Sequence, residues 1–179
     1  MKDWFTADLH LNHKNIIKYC NRPFTDIYQM DNVLINNILA RVKPGDNLYL
    51  LGDISFKLDV ALAFLNKIPK KVNVFLIEGN HDHKRLKEYL PTFQIKDICI
   101  NKQWITLCHK VMYTWNESHR GGWNLFAHSH GNLSPIGLQH DVGVDNNGYV
   151  PLSFEDVVEI MGKGEIKGIK NPEKYDGHY

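Results

Sequence analysis

Side chains that can bind metal ions follow five short apolar runs of the sequence. The runs cover residues 4–7, 47–51, 74–77, 104–107 and 123–127. The side chains that follow them are two carboxylates, one amide and four imidazoles: Asp8, His10, Asp53, Asn80, His109, His128 and His130. This set predicts a site for divalent cations such as manganese, iron or zinc, because magnesium prefers oxygen ligands and water.

The five runs are rich in β-branched, aromatic and leucine residues, which is typical of buried strands. Helical patterns separate them in the first half of the chain, and this alternation predicts a parallel α/β sheet. In an open α/β sheet the ligand crevice lies outside the carboxyl ends of the strands, so the seven side chains are expected to converge there. Without a cation, several of these groups would be buried and unpaired, at about 1–3 kcal/mol each.

Each motif taken alone has a simpler interpretation. A carboxylate at the end of a strand, such as Asp8, is usually a helix cap, and Gly52-Asp53 is more often a turn. His128 and His130 are a fair indication of a metal site, because alternate residues of an extended chain face the same way. The order and spacing of the groups together favour two metal ions over caps, turns and core histidines.

Two sheets are predicted in a single domain that covers residues 1–179. The second half of the chain contains predicted strands at about 93–98, 104–108, 123–127 and 138–144. Little helix lies between them, which indicates a second, more antiparallel sheet. Residues 25–46 have the pattern of a long helix. Ser153 and Asp156 indicate a capping box at the start of a last helix, and a loose tail is expected from about residue 162.

The composition is that of an ordinary globular protein, with 43% hydrophobic and 23% charged residues. A formal net charge of +1 gives no indication of a broad surface for nucleic acid or acidic membranes. No apolar run approaches the length of a membrane span, and residues 1–10 lack the apolar core of a signal peptide. Three cysteines without CxxC spacing favour free thiols in a reducing cytoplasm. The oligomeric state is not predicted.

The series of motifs resembles the five-block signature of the calcineurin-like metallophosphoesterases. The blocks are Asp8-x-His10, Gly52-Asp53, Gly79-Asn80-His81-Asp82, His109 and His128-x-His130, with residues 142–145 similar to the strand that closes that domain. The resemblance implies a four-layer α/β/β/α sandwich of two mixed sheets flanked by helices, with a dinuclear metal site at one edge. It implies one metal ion at Asp8, His10, Asp53 and His130, and a second at Asn80, His109, His128 and the shared Asp53.

Departures from the family pattern indicate which kind of family member this chain resembles. Ala127 stands where a glycine usually precedes the first histidine of the last block. The Gly52-Asp53 block lacks the Asp-Arg-Gly that follows it in phosphoprotein phosphatases, and the third block ends in Asp82 rather than glutamate. Both differences disfavour phosphoprotein substrates. No long insertion that could form a cap is present, so the chain is similar to the small, cap-less esterases of bacteria and phages.

The reaction that these residues imply is hydrolysis of a small phosphoester, either a phosphodiester or a phosphomonoester, with nucleotides among the candidate substrates. Two divalent ions bridged by Asp53 would share a water molecule and acidify it to hydroxide. Manganese (Mn2+) is favoured, with iron, zinc and nickel as alternatives. His81 would protonate the leaving alkoxide as general acid, and either Asp82 or a backbone group is expected to orient its ring.

Four further residues are predicted to contact substrate. His13 follows His10 by three residues, and Arg22 precedes a proline that would stiffen its loop. His119 and Arg120 lie in a polar loop ahead of the last ligand strand. Arg22 is favoured as the phosphate clamp, because a guanidinium fork binds two phosphate oxygens. For each of these residues, a position in a solvated helix or loop is an equal alternative.

Two other functions are compatible with the same fold. A non-catalytic scaffold that binds protein partners would keep only part of the metal site, whereas this chain has all seven ligand positions and His81 filled. A nuclease of the recombination-repair kind would need a positive groove and usually a capping domain, which the balanced charge disfavours. The sequence therefore favours an enzyme that acts on a small phosphoester.

Overall fold

The computed structural model describes residues 1–162, in which nine strands form two sheets. The strands are β1 (Asp3–Thr6), β2 (Asn47–Leu50), β3 (Asn73–Ile77), β4 (Thr92–Phe93), β5 (Ile95–Ile100), β6 (Gln103–Cys108), β7 (Trp123–Phe126), β8 (Gln139–Asp141) and β9 (Leu152–Ser153). The α-helices are α1 (Ile16–Tyr19), α2 (Ile27–Arg41), α3 (Leu58–Leu65) and α4 (Phe154–Gly162). The tail predicted from about residue 162 lies outside the described residues.

The first sheet has the strand order β4-β3-β2-β1-β9. Its first four strands are parallel, as the sequence predicts for β1, β2 and β3, whereas the region of β4 was expected in the second sheet. β9 pairs antiparallel with β1. Thr6 lies opposite Leu50, and Leu50 lies opposite Leu76, so the three central strands run level with one another. The loops that follow them therefore leave the sheet at one edge.

The second sheet has the strand order β5-β6-β7-β8, and its predicted antiparallel character is wrong for two of its three pairs. Only β5 and β6 are antiparallel, whereas β6–β7 and β7–β8 are parallel. Scarcity of helix suggested hairpins, but the irregular segments 109–122 and 127–138 are long enough to serve as crossovers. As a result, the carboxyl ends of β6 and β7 also lie side by side, and Ala127 N donates to the carbonyl of His109 at 2.9 Å.

Alternate residues of the first sheet are buried on opposite faces. Leu48 and Leu50 pack with Met30 of α2 and Phe64 of α3. On the other face, Phe5 and Tyr49 pack against Leu107 and Leu125 of the second sheet, and α4 joins this cluster through Val157. The α/β class and the two mixed sheets flanked by helices are thus confirmed.

Local capping agrees with the sequence patterns. Asp26 caps α2 by accepting from Gln29 N at 2.9 Å. The predicted capping box of α4 is confirmed, since Asp156 N donates to Ser153 Oγ at 3.1 Å and Ser153 N donates to the Asp156 carboxylate at 2.7 Å. Across residues 1–162, the helices are too short or too polar to cross a membrane.

Candidate metal centre

The structure brings all seven candidate ligands together at the carboxyl edge of both sheets. They form two groups, within which the ligand atoms lie no more than 4.8 Å apart: Asp8, His10 and His130 in the first group, and Asp53, His109 and His128 in the second. Asn80 joins the second group, because its Oδ1 lies 3.0 Å from His109 Nε2. Asp53 Oδ2 lies between the groups, at 3.5 Å from both His10 Nε2 and His109 Nε2.

Main-chain hydrogen bonds hold the loops after β1 and β2 together. Asp8 N donates to the carbonyl of Gly52 at 3.0 Å, and His10 N donates to the carbonyl of Asp53 at 2.9 Å. The loop after β7 is held in turn by a ligand, since Asp8 Oδ2 accepts from His128 N at 2.9 Å. One carboxylate oxygen of Asp8 is therefore used for positioning, and the other remains for a cation.

Five of the seven candidate ligands have a backbone in the left-handed region. Their φ angles are 56° at Asp8, 49° at His10, 55° at Asp53, 70° at His128 and 49° at His130. A non-glycine residue in this region costs about 1–3 kcal/mol and persists only where its surroundings hold it. The strain is concentrated where side chains must turn inward toward one another, which is typical of a functional site.

Two glycines allow the loops to approach closely. Gly52 has a φ of +92°, and a Cβ there would lie 2.5 Å from His109 Nδ1. A Cβ on Gly79 would collide with the carboxylate and the backbone nitrogen of Asp53. Both glycines of the Gly-Asp and Gly-Asn motifs are thus required by contact with ligands of the second group.

Asp82 binds backbone rather than the ring of His81, which corrects its predicted role. Its carboxylate accepts from three main-chain donors: Gly79 N at 2.9 Å, Asp53 N at 3.0 Å and Ile54 N at 2.8 Å. In the sequence Asp82 stands next to His81, but its side chain reaches across to the loop after β2. Asp82 is therefore a positioning residue that fixes Asp53.

Hydrogen bonds set the tautomers of two histidine ligands. His109 Nδ1 lies 2.7 Å from the carbonyl of Leu51, and His130 Nδ1 lies 2.7 Å from Asp145 Oδ2. Both partners only accept, so in the neutral ring the proton sits on Nδ1 and Nε2 keeps its lone pair. The lone pair of His109 then faces two other acceptors, the oxygens of Asn80 and Asp53. Convergent acceptors with no proton between them are the arrangement that a metal cation satisfies.

Buried polar atoms without a hydrogen-bond partner also lie at this site. They include Asp8 Oδ1 and both ring nitrogens of His10. Burial raises the pKa of Asp8 to about 8 and lowers the pKa of His10 to about 2. An adjacent divalent cation favours the ionised carboxylate and supplies the missing partner to carboxylate and imidazole alike. The residues present therefore fit divalent cations.

Arg22 does not bind phosphate, contrary to its predicted role, because it is buried and its donors are already used. Its side chain forms a fork with Asp145, from Nε to Oδ1 at 2.7 Å and from Nη2 to Oδ2 at 2.8 Å. The remaining donors reach Asp8 O at 2.7 Å, Leu9 O at 3.1 Å and Met30 Sδ at 3.3 Å. The residue is only 4% exposed. It ties the loop after β1 to the carboxylate that orients His130.

We expect Arg22→Met to lower the free energy of unfolding by about 3–5 kcal/mol, because it removes the guanidinium fork from the buried Asp145 carboxylate and leaves it with the His130 ring. Metal affinity should fall by about tenfold to a hundredfold through the loosened His130. Urea unfolding of metal-free protein and a metal titration measure the two effects. Arg85→Met is the control, since the Arg85–Glu88 pair is solvent-exposed. If the variant instead has an unchanged unfolding midpoint and a raised KM, Arg22 binds the phosphate of the substrate, as the sequence predicted.

His119 and Arg120 lie away from the metal ligands, which corrects their predicted substrate contact. They belong to the 3-10 helix Ser118–Arg120, which leads into the amino end of β7. At that end, Gln103 Nε2 donates to the carbonyl of Gly121 at 2.9 Å. Arg120 pairs with Glu117, and its side chain is 71% exposed. The alternative, a position in a solvated loop, therefore describes both residues.

His81 and His13 stand at the mouth of the site. The ring centroid of His10 lies 5.6 Å from that of His81 and 5.6 Å from that of His13. His81 N donates to Asp53 Oδ1 at 2.8 Å, which fixes its backbone. Beside the second group, a cavity of about 420 Å³ is lined by residues that include Asn80 and His109. This volume is within the usual range for small-molecule sites.

Two positioning carboxylates were missed in the sequence. Asp145 orients His130, and nothing local connects it to Arg22, which lies 123 residues earlier. Asp141 Oδ2 accepts from Ser129 Oγ at 2.6 Å and from Gly131 N at 3.0 Å, and so holds the loop that carries both late histidines. Asp141 ends β8, so the rule that identified the other strand-end carboxylates could have found it.

Proteins of known sequence or structure are similar to this one over most of the chain. Uncharacterised protein MJ1445 of Methanocaldococcus jannaschii is 31% identical over an alignment of 180 positions. The alignment covers 92% of this chain and 94% of that protein. The crystal structure of AQ665, a protein of unknown function from Aquifex aeolicus, shares 25% identity at a TM-score of 0.68 and covers 89% of this chain and 98% of its own. YfcE, a phosphoesterase from E. coli, shares 17% identity at a TM-score of 0.44, with 80% and 76% covered. Residues 1–166 match the model of one family, and the chain belongs to it: the calcineurin-like phosphoesterases.

Proposed function

We propose that this protein hydrolyses a small phosphoester with two divalent ions held by the seven ligands and with His81 as general acid. The family supports metal-dependent phosphoester hydrolysis as the class of reaction. The observation that supports two ions is the position of Asp53 Oδ2, at 3.5 Å from the donor nitrogens of both ligand groups. Asp53 could therefore serve as a ligand that both ions share.

Bound divalent ions supply positive charge that polarises water and phosphate oxygen at the site. Asp8 and Asp53, the only carboxylates among the seven ligands, would compensate half of the charge of two divalent ions. Asn80 and the four imidazoles are neutral donors. The phosphate is therefore held by attraction to the centre, which agrees with the absence of a free arginine beside it in the described residues.

His81 supplies the proton that the leaving group needs. In hydrolysis, the water oxygen bonds to phosphorus and its proton passes to solvent, from which His81 later regains a proton, while the bond from phosphorus to the leaving oxygen breaks. The leaving alkoxide takes a proton from the His81 ring, which stands beside the ligand His10 without belonging to either ligand group. The hydrogen bond from His81 N to Asp53 Oδ1 holds the backbone of His81 beside the carboxylate that would be shared by the two ions.

Manganese is part of the proposal, with iron, zinc and nickel as the alternatives. Four imidazoles among seven ligands support borderline ions over magnesium. The substrate is proposed to be a free phosphoester, with a nucleotide among the candidates. A cytoplasmic location is also proposed, and the three free cysteines support it.

We expect chelated protein to be inactive and manganese to restore more activity than magnesium, because the donor set is rich in nitrogen. The test is a metal-screened assay with a phosphomonoester, a phosphodiester and a 2′,3′-cyclic nucleotide side by side. The relative rates also decide between monoester and diester substrates. Activity that survives exhaustive chelation, in protein shown by elemental analysis to be metal-free, would contradict the proposal.

A further inference from the structure

An exposed aromatic rim borders the side of the site where His81 stands. We define it as Phe56, His13 and Tyr19. The ring centroid of Phe56 lies 4.6 Å from that of His81 and 4.9 Å from that of His13. Tyr19 extends the rim, at 6.2 Å from His13. Phe56 is 43% exposed and Tyr19 is 73% exposed, so both side chains are open to solvent.

The backbone beneath Phe56 is fixed although its side chain is open. Ile54 and Ser55, which precede it, are buried. Ser55 Oγ donates to the carbonyl of Leu11 at 2.8 Å and accepts from Lys57 N at 3.2 Å. Lys57 Nζ in turn donates to Asn12 Oδ1 at 2.9 Å. A rigid segment that presents a large apolar ring to solvent is not explained by core packing, whereas a binding surface needs this kind of preorganisation.

The position of the rim determines which part of a substrate it can reach. The leaving oxygen must come within hydrogen-bond distance of the His81 ring to take its proton. Phe56 is in contact with that ring, so a group attached to the leaving oxygen is directed over the rim. A flat ring there can stack on Phe56, because offset stacking is favoured at centroid separations of about 4.5–7 Å.

We infer that Phe56 is a specificity residue that stacks with a planar aromatic ring on the leaving group of the phosphoester. This inference rests on the proposed function and narrows its substrate class. A nucleobase and a simple aryl group share the chemistry required, since each offers a π-face. Tyr19 and His13 lie along the same rim and extend the surface for a larger ring system.

The test uses two matched pairs of phosphoesters, each as the monoester and as the methyl diester. AMP and ribose 5-phosphate differ by the nucleobase, whereas benzyl and cyclohexylmethyl phosphate differ by aromaticity at nearly constant size. In Phe56→Leu, kcat/KM for AMP or benzyl phosphate should fall by about tenfold, as when one stacking aromatic is lost. The non-aromatic partner of each pair should change much less. Phe56→Tyr should restore the preference.

Trp104→Leu is the matched control, because Trp104 is 45% exposed but lies at the amino end of β6, opposite the metal ligands. Loss confined to AMP identifies a nucleobase, and loss confined to benzyl phosphate identifies an aryl group. An equal loss within each pair would overturn the inference and make Phe56 a positioning residue for His81. If wild-type protein hydrolyses none of the four monoesters and none of their four methyl diesters, the proposed function fails, and calorimetric binding of AMP against ribose 5-phosphate still tests the stacking.

Discussion

Asp53→Ala is expected to remove hydrolytic activity together with the binding of both metal ions. Its Oδ2 lies 3.5 Å from the donor nitrogens of His10 and His109, one in each ligand group. Loss of this oxygen leaves each group without its shared ligand and removes one of the two carboxylates that balance the charge of the cations. Elemental analysis after dialysis against excess manganese measures the metal content, and the phosphoester assay measures the activity.

A second variant separates loss of ligation from loss of fold. Asp53 Oδ1 accepts from His81 N at 2.8 Å, so alanine also frees the loop after β3. Asp53→Asn keeps an oxygen for this hydrogen bond but lacks the negative charge, so it should bind metal poorly. In the absence of metal, its free energy of unfolding should equal that of the wild type. Asp59→Ala, an exposed carboxylate at the start of α3, is the matched control. Two tightly bound ions in Asp53→Ala would show that this residue does not bridge.

The second large effect concerns proton transfer. His81→Ala should keep both metal ions, yet lose about 10²–10⁴-fold in kcat on an alkyl phosphoester, because the alkoxide must then depart without a proton. The loss should shrink for a nitrophenyl ester, whose leaving group is stable as an anion. A plot of log kcat against leaving-group pKa should therefore be steeper for the variant than for the wild type.

His83→Ala provides the comparison for His81. It removes a histidine two residues away, whose Nδ1 accepts from Arg85 N at 3.3 Å and caps a 3-10 helix. Metal content and leaving-group dependence should both stay at wild-type values in this control. An unimpaired His81→Ala on an alkyl ester would mean that another group donates the proton, and His13 is the next candidate by its position.

Much of the site could be predicted because parallel strands deliver their next residues to a single edge. The runs before Asp8, Asp53 and Asn80 are central strands of one sheet and run level with one another, so strand ends in sequence became neighbours in space. The same rule brings His109 and His128 together only because β6 and β7 are parallel, which the sequence did not indicate. Periodicity and turn residues are local properties, and they were sufficient for Asp8, Asp53 and Asn80.

The errors arose where a role depends on a partner far along the chain. Arg22 was predicted to bind substrate because it precedes a proline that would stiffen its loop. Its actual partner, Asp145, lies 123 residues later. Asp82 was assigned to its neighbour His81, but it binds the backbone of Asp53 and Ile54. A contact between residues far apart in the sequence decides both cases, and such a contact cannot be deduced from the few residues on either side of a polar side chain.

The central claim is that two cations, bridged by one carboxylate, carry out the reaction together. The direct measurement is a titration of metal-free protein with manganese, in which bound metal per chain and phosphoester hydrolysis are recorded in the same samples. The account predicts saturation at two ions per chain, with activity that appears mainly as the second ion binds. Full activity at one ion per chain, or equal activity before any ion is bound, would contradict it.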